Sequence, residues 1–157
     1  MELTYFKNIN LKDPFFDSLK EDYPEFPRWF AKKSNEQAQA YVHKTSTNTI
    51  DGFLYLKLET EEIKLLSLNN IVITKPAIKR LKIGTFKVHP HKTKLGDRFI
   101  SKIVYIATQE QVKETYITIF DKHEKLIERV KHHKFTLIGR SIKSTINGRE
   151  GYYFRES

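Results

Sequence analysis

The chain has 157 residues, 39% hydrophobic and 13% aromatic, enough to bury one core. No shift in composition marks a second domain, so a single domain over residues 1–157 is expected. The absence of cysteine excludes disulfides, thiolate catalysis and cysteine-ligated zinc or iron–sulfur centres, and fits a reducing cytoplasm. A formal charge of +9 points to polyanionic partners: nucleic acid, an anionic membrane face or a phosphorylated cofactor.

The opening MELTYFKNINLKDP lacks the basic and apolar regions of a signal peptide, and no apolar run reaches the roughly 18 residues of a membrane span. A cytoplasmic protein without a membrane partner is the expectation. Leu3 to Ile9 reads as a strand, and Asp13 caps a helix that shares Phe15, Phe16, Leu19 and Tyr23 on one face. Pro24 and Pro27 separate it from a second helix over Phe26 to Gln39, which Trp29 and Phe30 anchor against a sheet or over a cleft. Ala40 to Lys44 and Phe53 to Leu58 then pair as strands around a turn carrying Asn48, Asp51 and Gly52. Thr60 to Arg80 lacks a clear period and reads as an irregular excursion with a short strand.

The stretch Leu81 to Ile106 carries the strongest signal. Leu81 to Val88 is a strand, Pro90 ends it, and Leu95, Phe99, Ile103, Ile106 and Ala107 recur at helical spacing. The loop between them holds His89, His91, Lys92, Lys94 and Gly96, and positive charge gathers around it through Lys79, Arg80, Lys82, Lys87 and Arg98, with Asp97 the only nearby acid. A helix start directs amide hydrogens and the positive end of its dipole outward, so a cationic loop opening a helix suits a diphosphate. Thr115 to Phe120 is a further strand, followed by a helix from Lys122 to about Lys134 with Leu126, Ile127 and Val130 buried. Phe135 to Lys143 and Gly151 to Phe154 close the chain as a hairpin with a turn signal at Asn147-Gly148. The predicted class is α/β, of the α+β mixed-sheet kind, in the order β-α-α-β-β-β-α-β-α-β-β around a central, mostly antiparallel sheet.

That order resembles the GNAT superfamily, the acyl-CoA N-acyltransferase fold. The family's loop pattern [Gln/Arg]-x-x-Gly-x-[Gly/Ala] falls on His91-Lys92-Thr93-Lys94-Leu95-Gly96, where Gly96 is kept, His91 stands at the Arg or Gln, and Lys94 replaces the first glycine. The segment DKHEKLIERVKHHKF resembles the family's Asn-x-x-Ala-x-x-x-Tyr-x-x-x-Gly-Phe. Phe135 matches its last residue, with His123 at the Asn, Leu126 at the Ala, Val130 near the Tyr and Lys134 at the Gly.

The resemblance implies transfer of an acetyl group from acetyl-CoA, as co-substrate, to a primary amine by direct attack. Phe86, Lys87 and Val88 would lend backbone groups to the pantetheine arm and the thioester oxygen, whose developing charge needs an N–H donor. His91, Lys92, Thr93, Lys94, Leu95, Gly96 and Asp97 would hold the diphosphate. An amine with an ordinary pKa near about 10.4 must lose a proton before it attacks, and Glu59, directly after Leu58, ranks first as the base, ahead of Glu61, Glu62, a histidine or water. Val130 cannot serve as the family's tyrosine acid toward the leaving thiolate, and His123 is the substitute, with hydrogen bonding to backbone as its other role. The acceptor would be a small molecule, a protein or an aminoacylated RNA. Two rivals come from the same residues: a coenzyme A-binding sensor or scaffold without turnover, and a basic nucleic-acid-binding domain. His89 with His91, and His132 with His133, have no acidic or cysteine partner at ligand spacing, so no metal is expected.

Overall fold

The computed structural model describes residues 1–157. Nine strands run as β1 (Glu2–Tyr5), β2 (Gln39–Lys44), β3 (Ile50–Glu59), β4 (Ile63–Ser67), β5 (Val72–Lys75), β6 (Arg80–Val88), β7 (Glu114–Phe120), β8 (Thr136–Arg140) and β9 (Glu150–Glu156). Four helices join them: α1 (Asp17–Asp22), α2 (Phe26–Asn35), α3 (Thr93–Gln109) and α4 (Glu124–His132). The strands form one sheet in the order β1-β2-β3-β6-β7-β9-β8-β4-β5. Its β6–β7 ladder is parallel, whereas β1–β2, β2–β3, β4–β5, β4–β8, β7–β9 and β8–β9 are antiparallel. The mixed α/β class and the mostly antiparallel sheet agree with the sequence reading. The chain divides into two compact units, Met1–Tyr55 with Thr85–Leu95, and Leu56–Gly84 with Gly96–Ser157.

The first unit is held by aromatic rings. Phe6, Phe16 and Phe53 are wholly buried, with Phe15, Phe26 and Phe30 beside them. Their centroids lie 4.8 Å (Phe6–Phe30), 5.3 Å (Phe16–Phe53) and 5.8 Å (Phe6–Phe53) apart, mostly edge to face, as ring quadrupoles prefer. Trp29 packs 5.6 Å from Phe6 and 5.5 Å from Tyr55, so its ring belongs to this core. The first strand stops at Tyr5, short of the expected Ile9. The Phe6 amide still keeps to the β1–β2 register on the Ala38 carbonyl (3.0 Å), and a 3-10 turn over Phe6–Asn8, with Phe6 buried, then ends the strand. Asp13 ties two segments together, accepting from the Phe15 amide (2.9 Å) and the Ile50 amide (3.2 Å). α2 ends at Asn35 rather than Gln39, because Gln37 takes a left-handed φ of 58° and the Ala38 amide folds back on the Lys33 carbonyl (3.0 Å).

In the second unit the expected irregular excursion is a hairpin. β4 and β5 pair from Ile63↔Lys75 to Leu66↔Val72, and the polar Asn69-Asn70 is their turn, with Asn70 at φ 61°. β4 then docks on β8, Leu66↔Arg140 and Ser67↔Gly139, which extends the sheet past the strand count read from the sequence. Gly139 permits that approach: a Cβ there would collide with the Leu66 carbonyl oxygen and lie 2.8 Å from Leu65 Cδ1. Arg80, expected among the surface cations, is 1% exposed. Its Nε donates to Glu114 (2.8 Å) and its Nη2 to the Pro76 carbonyl (2.7 Å), while Lys75 Nζ reaches the other Glu114 oxygen at 2.5 Å. Burial would raise the Glu114 carboxyl, but the bonds from Lys75 and Arg80 prevail and hold it below the usual carboxylate range. The turn before β9 is also shifted by one residue. Thr145 and Gly148 exchange both backbone bonds at 2.9 Å, which leaves Ile146-Asn147 at the tip and puts Gly148 just after it at φ 90°.

Two stability consequences follow from these contacts. Gly139→Ala should lower the guanidinium unfolding free energy by about 1–3 kcal/mol, since the colliding partner is backbone and cannot step aside. A depressed carboxyl stabilises the fold above its unfolded pKa and ceases to do so as pH falls through its folded one. Acid unfolding should therefore begin at higher pH in Glu114→Gln than in the wild type, as read by circular dichroism.

Candidate functional site

β6 ends at Val88, where the His89 amide donates to the Asp51 carbonyl (2.8 Å). A tight turn follows, closed by the Lys92 amide on the His89 carbonyl (2.9 Å), with the His91 amide 3.5 Å from His89 Nδ1. α3 begins at Thr93, three residues before Gly96, so Thr93, Lys94, Leu95 and Gly96 form its first turn rather than a preceding loop. His91, Lys92, Thr93 and Lys94 are exposed, whereas Leu95 and Gly96 are buried. Lys92 and Lys94 are thus exposed where α3 starts, and the first amides of a helix have no intrahelical acceptor, an arrangement able to take an anion.

The expected cofactor strand contributes Phe86, which is buried, and Lys87 and Val88, which are half-buried. The Lys87 ammonium donates to the Phe15 carbonyl and sits 4.5 Å over the Phe15 ring. Burial pushes this amine below its ordinary value, opposed by the negative charges of Asp17, Asp22 and Asp13.

In the second unit Gly96 has a packing reason. A Cβ there would overlap the Arg129 guanidinium, with Arg129 Nε at 2.7 Å. Asp97, expected beside the diphosphate, bonds to Arg129 Nη1 (3.3 Å) and His133 Nε2 (3.1 Å). The His133 hydrogen bond holds the Asp97 carboxyl below the usual carboxylate range; desolvation opposes it, and the charges of Arg129 and its neighbours add to the lowering.

Glu59 ends β3, where it accepts a hydrogen bond from the Tyr116 hydroxyl and lies 3.5 Å from Lys57 Nζ. Tyr116 is the functional-looking residue that sequence reasoning missed. It is 3% exposed on β7, its ring nearly parallel to those of Tyr152 (6.0 Å, 10°) and Phe154 (5.1 Å, 17°), with Lys82 Nζ 5.8 Å from its centroid. Burial, reinforced by Glu59, pushes its phenol far above the ordinary range. The available signal was a tyrosine on a buried strand, whose hydroxyl needs a partner. Burial likewise raises the Tyr152 phenol, with Glu150 and Glu59 adding to it. His123 sits at the position before α4, its amide on the Phe120 carbonyl (3.0 Å) and its carbonyl accepting from Ile127 (3.1 Å). Val130 is buried at 1% exposure, an aliphatic core residue where the resembled family carries its tyrosine.

No protein-family model and no curated protein match the sequence. Solved structures do match the fold. An aminoglycoside 6'-acetyltransferase type Ii shares 16% identity at a TM-score of 0.61, with 99% of this chain and 97% of that one covered. A Campylobacter jejuni N-acetyltransferase in complex with acetyl coenzyme A shares 13% at 0.54, with 99% and 98% covered. A GNAT superfamily phosphinothricin acetyltransferase from Sinorhizobium meliloti, also with acetyl-CoA, shares 12% at 0.54, with 85% and 68% covered. The chain has the GNAT fold.

A raised phenol favours the folded state below its unfolded pKa, near about 10, and loses that contribution as pH rises. Tyr116 should therefore stay protonated throughout the alkaline titration of the folded protein. Tyr116→Phe should leave the phenolate absorbance gained before unfolding unchanged, while costing about 1.5–3 kcal/mol of stability for the lost bond to a carboxylate.

Proposed function

We propose that this chain is an N-acetyltransferase that uses acetyl-CoA and acts on a primary amine. The observation that carries the reading is the exposed, cationic turn His89–Lys92 running straight into the first turn of α3 at the end of β6. In this reading the amides of Thr93, Lys94, Leu95 and Gly96, with the side chains of His91, Lys92 and Lys94, receive the diphosphate. Phe86, Lys87 and Val88 offer backbone to the pantetheine arm, and an amide among them steadies the negative charge that grows on the thioester oxygen. Asp97 contributes indirectly, by fixing the start of α3 through Arg129 and His133.

Glu59 takes the proton of the attacking amine on its Oε2, which faces Lys57 Nζ at 3.5 Å, while Tyr116 holds Oε1 and fixes the carboxylate's orientation. The amine nitrogen bonds to the acetyl carbon as the carbon–sulfur bond breaks. His123 supplies a proton to the departing thiolate, a tolerable leaving group with a pKa near about 8.5. The neighbours solved with acetyl-CoA support the choice of cofactor. The acceptor class is an amine on a small molecule, a protein or an aminoacylated RNA, and the cytoplasm is its proposed setting.

Titration calorimetry should detect acetyl-CoA binding that weakens in the Lys92→Ala, Lys94→Ala double variant. Unchanged affinity there would move the diphosphate elsewhere. In a thiol-release assay with a panel of amines, Glu59→Gln should lower kcat by about 10²-fold or more while changing the KM for acetyl-CoA little. Binding with no thiol release for any amine would favour a coenzyme A-binding module without turnover.

A further inference from the structure

Within the first unit the β2–β3 ladder is broken by one extra residue. His43 pairs with Gly52 and Lys44 with Ile50, so Asp51 is the bulged position between them. A bulge frees a residue from its ladder and re-aims its side chain. The Asp51 carbonyl takes the His89 amide, as described, and its carboxylate turns inward, 3% exposed. One carboxylate oxygen lies 2.6 Å from His43 Nδ1, and the other lies 3.9 Å from the Lys92 ammonium. A buried carboxylate is thus shared between an imidazole and a cation of the diphosphate turn.

We propose that His43 is a positioning residue for that turn: acting through Asp51, it sets whether the Lys92 ammonium is held to the protein or presented to the anionic groups of the cofactor. This rests on the acetyl-CoA reading above. With a neutral imidazole, the His43–Asp51 pair carries one negative charge and draws Lys92 in. When the imidazole gains a proton the pair is neutral overall, its pull on Lys92 falls, and the ammonium is available to phosphate. Affinity for acetyl-CoA therefore rises as pH falls. The imidazole is 27% exposed and lines a shallow depression with Met1, Glu2, Thr4, Val42 and Lys44, so solvent protons reach it. The other charged or titratable groups of that depression are the Met1 amine, Glu2 and Lys44; Asp13 accepts from the Ile50 amide next to Asp51, and His89 and His91 share the turn with Lys92. The variants below retain all of these groups.

The test is acetyl-CoA affinity by calorimetry at about pH 8 and about pH 5.5 for the wild type, His43→Gln and Lys92→Gln. Titration of the cofactor's own phosphate and of the other histidines is common to all three and cancels in their ratios. The ratio of wild-type to His43→Gln affinity should rise about threefold from the higher to the lower pH, the size of an exposed ion pair. Lys92 is half exposed, so Lys92→Gln should fold normally, and its own pH profile should follow that of His43→Gln. Parallel profiles for wild type and His43→Gln, or a wild-type profile in Lys92→Gln, would overturn the positioning role while leaving the acetyl-CoA reading intact. A wild type that binds no acetyl-CoA at either pH would sink that reading, and the role of His43 with it.

Discussion

Between Val88 and Thr93 the backbone stops being a strand and becomes a helix, with four residues to make the change. The His89 amide is spent on Asp51 and the Lys92 amide on His89, so the turn is fixed before any ligand arrives. That fixity gives the next residues their function. Amides at a helix start attract an anion in any protein, but a pre-set turn lowers the entropy lost when the anion is gripped. The bulge at Asp51 adjoins the same device, because the bulged residue is the one whose carbonyl takes the His89 amide.

Much of the chain's charge is employed as framework. Arg80 and Lys75 converge on Glu114, Arg129 and His133 on Asp97, and Arg140 on Asp121. These cations are engaged by carboxylates. Lys92 and Lys94, exposed side by side at the start of α3, form a compact cationic pair of the size a single diphosphate needs.

Elements with a strong local period were legible in the sequence. β6, β7, α3 and α4 appear where alternation or helical spacing placed them, and the parallel β6–β7 pair follows from a helix between two strands. The hairpin β4–β5 was illegible because Asn69-Asn70 looks like an interruption until one knows it is a turn, and because the partner strand β8 lies some seventy residues on. Side-chain pairing was hidden for the same reason. Glu59 was singled out, but the Tyr116 hydroxyl that holds it comes from 57 residues away. Gly96 was read as a loop glycine, whereas the structure puts it in a helix turn under Arg129, a packing demand that no local pattern displays.

The account stands on a cofactor gripped by the first turn of α3. An amide nitrogen–hydrogen NMR titration of the wild-type protein with acetyl-CoA tests this residue by residue. The largest shifts should fall on the amides of Thr93, Lys94, Leu95 and Gly96, with a second group at Phe86, Lys87 and Val88. Saturable shifts gathered elsewhere, with those amides unmoved, would contradict it.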